Sequence, residues 1–231
     1  MTVFRLKQLA THSVHAAADA FGWPYDRAEI IADGVVHAIG VLTGLIAATV
    51  LVVLAAVYAT ARDIVGVSIY VAGLLSMLVL SASYNLWPVS RAKWVLRRFD
   101  HAAIYVLIAA TYTPIILELE GSVFAFALLV GVWCVAVFGI VLKLAWPGRF
   151  DRVSVGLYLA MGWSGMMLYE PVVNALPSTA LWCVLIGGAL YTLGVIFHAW
   201  RRLRFQNAIW HCFVLLGAAC HYTAVLDLVL T

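Results

Sequence analysis

The chain has 231 residues, of which 65% are apolar and only 11% charged, with a net charge of +3. Its mean hydropathy is +1.02. A soluble domain of this size is about half apolar and a quarter charged, so a water-soluble fold, a disordered chain, collagen and a disulfide-rich scaffold are all excluded. What remains is an integral membrane protein with the length of one bundle rather than two domains.

In chain order, residues 1–28 come first. They carry Arg5, Lys7, His12, His15, Asp19, Asp26 and Arg27 and lack the uninterrupted apolar core of a signal peptide. They read as a cytoplasmic segment, either a solvated tail or an amphipathic helix lying on the membrane surface. Residues 29–231 then read as the membrane domain. Seven apolar runs follow, over roughly 33–58, 64–87, 99–117, 122–144, 153–169, 179–199 and 207–229. Most are about 20 residues, the length at which a helix crosses roughly 30 Å of hydrocarbon. None shows the alternation of a membrane β-barrel, so the expected fold is an all-α bundle of seven transmembrane helices. The fifth run, VSVGLYLAMGWSGMMLY, is short and glycine-bearing. Gly40-x-x-x-Gly44 in the first run allows close helix packing. Pro114 in the third removes a backbone donor and predicts a bend there. Cys134, Cys183, Cys212 and Cys220 all sit in apolar runs with no C-x-x-C spacing, and read as small buried hydrophobes. Trp87, Trp94, Trp146 and Trp200 read as interface anchors.

The basic residues orient the bundle. Arg5, Lys7 and Arg27 precede the first run. Arg91, Lys93, Arg97 and Arg98 follow the second, Lys143, Arg149 and Arg152 the fourth, and Arg201, Arg202 and Arg204 the sixth. Thirteen of the fourteen Lys and Arg therefore fall on one side, with only Arg62 on the other. The other side carries Asp63, Glu118, Glu120 and Glu170. The positive-inside rule places the N-terminus in the cytoplasm and the C-terminus outside.

That orientation gathers the polar span residues in one layer. Asp33 and His37 open the first span, Ser81 and Asn85 close the second, Asp100 and His101 open the third, and Asn207 and His211 open the seventh. All lie within about two turns of the inner interface, a layer roughly 10 Å thick. Asp33/His37, Ser81/Asn85 and Asn207/His211 are i, i+4 pairs, so each pair shares a helix face. Side chains this polar inside spans cost free energy and usually mark a site. His198 reads instead as an interfacial anchor, and His221 belongs to the outer half.

These residues resemble those of the bacterial hemolysin III proteins, within the progestin and adipoQ receptor superfamily. The resemblance covers roughly 29–229 and rests on EIIADGVVHAIG, SASYNLWP, FDHAAIYVLIAATYTP and NAIWHCFVLLGAACHYTAV in their order and span placement. It implies seven helices with a cytoplasmic N-terminus, in the plasma membrane of a bacterium. It also implies a zinc site near the inner face, with three histidine ligands, a serine and an aspartate. Carried over, Ser81 and Asp100 match the serine and aspartate, and His211 matches one histidine. Asn85 and Asn207 occupy the other two ligand positions, and Asp33 stands where relatives commonly have asparagine. A neutral amide oxygen is a poor ligand for zinc. No zinc and no other cofactor is therefore expected, and the amides are expected to donate to Asp100 and accept from His211 or Ser81.

The expected function is a non-catalytic membrane protein that senses or organises lipid in membrane homeostasis. Its expected partner is membrane lipid, with a lipid-like ligand in the bundle and no nucleic acid. The alternatives are a metal-dependent hydrolase of lipid amides or esters, using His211 with Asp100 and either His37 or His101, and a pore-forming protein.

Overall fold

A computed structural model describes residues 26–119 and 121–231. Among them it is all helix: α1 Arg27–Tyr58, α2 Ala61–Leu86, α3 Arg91–Leu117, α4 Val123–Ala145, α5 Asp151–Trp163, α6 Tyr169–Ala175, α7 Ser178–Ala199 and α8 Gln206–Leu230. A 3-10 turn, Ser164–Leu168, joins α5 to α6. The expected surface helix in residues 1–25 and the acidic Glu120 lie outside the described residues.

Six of these helices, α1, α2, α3, α4, α7 and α8, are long and apolar enough to cross a membrane. The fifth expected crossing departs from a continuous helix. Its segment starts beside Lys143 at the end of α4, where Lys143 Nζ donates to Asp151 Oδ1 at 2.7 Å. It then climbs along α3. Tyr158 OH donates to the His101 carbonyl at 2.8 Å, Tyr112 meets the Met161 and Gly162 carbonyls, and Leu168 packs with Ile116 and Leu119. The chain therefore passes from one end of the bundle to the other in this segment, as α5, the 3-10 turn and α6.

The break has a local cause and a tertiary one. Gly162, Ser164 and Gly165 are weak helix formers. The Tyr112 hydroxyl supplies the partners the interrupted helix lacks: it donates to the Met161 carbonyl (2.8 Å) and accepts from the Gly165 amide (2.7 Å) and the Ser164 hydroxyl (3.2 Å). Pro171 falls in the first turn of α6, where its missing N–H costs no helical bond.

The starts of α1 and α3 follow caps rather than hydropathy. α1 begins at Arg27 because Asp26 accepts from the Glu29 amide while Glu29 Oε2 accepts from the Asp26 amide, a capping box. That amide holds the Asp26 carboxyl below its ordinary pKa of 3.8. The expected boundary between the N-terminal segment and the membrane domain, at residue 28, falls inside this first turn. α3 begins at Arg91 behind a Ser90 cap, eight residues before its apolar run.

α3 is the centre of the bundle, since its residues join all three buried clusters: Ala103 and Leu107, Ile116, then Tyr105 and Ala109. Small residues let the other helices approach. A Cβ on Gly44 would sit 2.2 Å from Leu78 Cδ1 of α2, and one on Gly40 would sit 2.7 Å from Leu215 Cδ2 of α8. The two glycines thus serve two different contacts rather than one interface. The large exposed apolar side chains of α1 and α4, such as Leu42, Ile46, Phe124 and Phe126, form the surface suited to lipid. Trp87, Trp146 and Trp200 terminate α2, α4 and α7 as exposed C-caps at the same end, as interface anchors do. All four cysteines are free thiols. Cys134 and Cys212 are exposed rather than buried, because their positions fall on the lipid-facing side of α4 and α8.

Candidate functional site at the inner end of the bundle

The basic end of the bundle is assembled around Glu29. Its Oε2 closes the capping box of α1, and its Oε1 accepts from the Phe205 amide at 2.9 Å. Phe205 caps α8 in the left-handed region (φ 59°), a conformation unfavourable for a residue with a Cβ and held here by that bond. Arg204 also reaches Asp26 at 3.3 Å. One carboxylate thus ties the first turn of α1 to the first turn of α8. The consequence is register: Asp33 and His37, one and two turns up α1, face His211, one turn up α8.

His211 Nδ1 lies 2.6 Å from Asp33 Oδ1. The rings of His37 and His211 meet edge to face with centroids 4.3 Å apart. His37 Nδ1 donates to the Asp33 carbonyl at 2.8 Å, so its Nε2 carries the lone pair. That nitrogen accepts from the Ser81 hydroxyl (3.2 Å) and from Asn85 Nδ2 (3.3 Å). Asp33, His37 and Ser81 are buried, and Asn85 and His211 partly so. A low-dielectric setting strengthens each of these bonds and makes the loss of any partner costly.

The structure therefore brings together Asp33, His37, Ser81, Asn85 and His211. Asp100 lies against Ser81 across the α2–α3 contact, and Asn207 lines the same cavity as Asn85, Asp100 and His211. The expected pairing differs in detail. Asn85 donates to His37 and to the Ser81 carbonyl (3.0 Å) rather than to Asp100, because the i, i+4 face it shares with Ser81 is turned toward α1. His101 belongs to a second cluster. Its Nδ1 lies 3.9 Å from Asp151 Oδ1, and the same carboxylate binds Lys143 at 2.7 Å and Arg97 at 3.0 Å. Asp100 and His101 are consecutive, and the 100° turn per residue points them to different neighbours. His198 packs against Trp210, with ring centroids 5.0 Å apart and the planes tilted by 47°. His221 sits with Tyr191 in the outer half.

Four residues of this end escaped the sequence reading as site residues: Glu29, Arg97, Lys143 and Asp151. Glu29 was legible as the partner of an Asp26-x-x-Glu29 capping box. Lys143 and Asp151 flank one loop, but nothing in their spacing required them to pair.

Above both clusters lies a cavity of about 960 Å³ bounded by α2, α3, α5, α7 and α8. Its inner end is lined by Ser81, Asn85, Asp100, Asn207 and His211 and by Lys93, Arg97, Lys143 and Arg201. Its outer reach is lined by apolar groups such as Ile115, Leu168, Val172 and Leu181. α5 and α7, which both line it, pack on each other sparsely and are bridged by a bond from Trp163 Nε1 to Thr192 Oγ1 (3.0 Å).

Fold and site together define a multi-pass α-helical membrane protein with a polar cluster at one end of an internal cavity. The comparisons with known proteins agree. The sequence matches the family profile described as Haemolysin-III related over residues 29–222. It is 39% identical over 198 residues to a hemolysin-3 homolog of Bacillus subtilis (strain 168), covering 86% of this chain and 93% of that protein. It is 33% identical to hemolysin-3 of Bacillus cereus, over 87% of this chain and 92% of that one. Over 68% of this chain and 67% of the relative it is 31% identical to the human monocyte to macrophage differentiation factor. The chain belongs to the haemolysin III-related family.

The zinc that the resemblance implied would need ligands at positions 85, 207 and 211. Two of these are amides, and the Asn85 amide nitrogen points at His37 Nε2. That donor set does not fit the ion.

Proposed function

We propose that this family member is a non-catalytic, lipid-binding protein of the bacterial plasma membrane that senses or organises lipid in membrane homeostasis. The observation that supports this reading is the cavity of about 960 Å³, at the upper end of the range for ligand pockets and apolar along most of its length. Its inner end gathers four basic side chains against two carboxylates, Asp100 and Asp151, and so suits an anionic headgroup. An acyl chain would lie along the outer reach. The non-catalytic part of the reading follows from Asn85 and Asn207 at the family's ligand positions: without a metal there, no hydroxide is generated cheaply at neutral pH. A pore has less support, because the outer cavity wall offers no continuous polar path.

Mass spectrometry of lipid extracted from the purified protein tests this. We expect acyl lipid at about one per chain, reduced severalfold by Leu159→Trp or Val195→Trp, which fill the cavity from α5 and from α7. Arg201→Ala should weaken the preference for anionic lipid. Lipid content unchanged by both fillers would overturn the reading, and turnover of a lipid amide or ester would replace it with the hydrolase.

A further inference from the structure

The three side chains that meet most closely at the inner end are not those at the family's ligand positions. Asp33, His37 and His211 each offer one ligand atom, and these atoms all lie within 4.8 Å of one another. We propose that Asp33, His37 and His211 form a divalent-cation site of the zinc class, joining α1 to α8 through a ligand set distinct from positions 85 and 207.

Geometry supports it first. In a tetrahedral site with metal–ligand distances of 2.0–2.2 Å, ligand atoms stand about 3.3–3.5 Å apart. Asp33 Oδ1 lies 3.6 Å from His37 Nδ1 and 2.6 Å from His211 Nδ1. The second of these is a hydrogen bond that must open by less than about 1 Å. The first sets the carboxylate beside the His37 ring, which ligates through Nε2 because its Nδ1 is held by the Asp33 carbonyl. Two of the three ligands sit at i, i+4 on one helix face, and α8 is fixed against that face by Glu29 and Phe205. The ligands thus stand on rigid elements rather than on a loop.

The outer shell is also in place. Metal-binding histidines usually donate their second ring N–H to a carbonyl or carboxylate. His37 does so to the Asp33 carbonyl, which leaves Nε2 with its lone pair toward Ser81. A fourth position then faces the Ser81 hydroxyl, whose oxygen completes a closed tetrahedral site of the structural kind, with no open water position. Two imidazoles and one carboxylate suit zinc and its first-row neighbours, and not the all-oxygen preference of calcium or magnesium.

A small cavity adjoins the site. A cavity of about 20 Å³, room for one water-sized species, is lined by Glu29, Asp33, Asn85, Phe205 and Asn207 at the cytoplasmic end. Two carboxylates and two amide side chains around it favour a cation over an anion.

The test is metal binding by the full-length protein in detergent, stripped with chelator and titrated with Zn²⁺ and separately with Co²⁺. We expect one equivalent per chain. Cobalt should give the intense visible absorption of a tetrahedral site. Asp33→Asn, which keeps the shape of the side chain, should weaken binding by at least 100-fold, as should His37→Gln and His211→Gln. Circular dichroism of each variant separates loss of ligand from loss of fold. Absence of stoichiometric metal in the wild-type protein would overturn the proposal, as would a folded Asp33→Asn variant that binds zinc as tightly as wild type. Lipid content is measured separately, so a metal-free protein that carries lipid sinks this proposal alone.

Discussion

His211 on α8 and Asp33 on α1 are 178 residues apart in sequence, yet their side chains meet at 2.6 Å between Nδ1 and Oδ1. Both side chains are nearly buried, at 12% and 10% exposure, so water competes little for either group. The bond closes the ring of helices by joining the first to the last. A hydrogen bond to a charged group contributes about 1.5–3 kcal/mol, and removing one partner leaves the other unsatisfied. Asp33→Ala and His211→Ala are each expected to destabilise the protein by about that much in metal-free unfolding experiments. The double variant should fall short of the sum by about 1 kcal/mol. Additive effects in such a double-mutant cycle would show that the two side chains do not interact.

Glu29 holds that pair in register from outside the cluster. Its carboxylate serves the α1 cap and the Phe205 amide together. Glu29→Ala should therefore speed amide exchange in the first turns of both α1 and α8, although these are separated by most of the chain. Exchange confined to α1 would mean that Glu29 is only a cap.

Tyr112 is the support for the broken fifth segment. Tyr112→Phe keeps the ring and deletes the hydroxyl that serves Met161, Ser164 and Gly165. A buried amide left unsatisfied costs about 1–3 kcal/mol. The expected result is a fall in stability of that order, with faster exchange centred on residues 161–168. Wild-type exchange there would assign the break to the glycines alone.

Lys143 is 4% exposed and pairs with Asp151, which is 34% exposed. Removing Asp151 leaves a buried ammonium without its counter-charge. Because the carboxylate side is partly solvated, the cost should sit below the 3–5 kcal/mol of a fully buried pair, at about 1–3 kcal/mol. Asp151→Leu alone should thus be more harmful than Asp151→Leu with Lys143→Met, measured as thermal midpoints in detergent. Equal effects would show that the ion pair has no energetic role.

Much of the fold was legible because hydropathy and charge act residue by residue. Six of the seven expected runs are single long helices, and Arg62, the one basic residue assigned to the far side, reaches the Leu117 carbonyl at the outer end of α3. Helix starts were misjudged where a charged first turn is capped, as at Asp26 and Ser90, since hydropathy marks only the apolar part of a helix. The fifth run was misjudged as one helix because its break depends on a hydroxyl 49 residues earlier in the chain.

The linear order of residues was enough for the membrane class and for the layer in which Asp33, His37, Ser81, Asn85, Asp100, Asn207 and His211 lie. These are properties of depth, and depth follows from distance along a helix. Which of them touch was decided only when the helices packed. Contact depends on the rotation of each helix about its axis, and that angle is set by distant partners: Glu29 on Phe205, Gly40 against Leu215, Gly44 against Leu78. Packing turned Asn85 toward His37 instead of Asp100, sent His101 to Asp151, and set a carboxylate between two imidazoles.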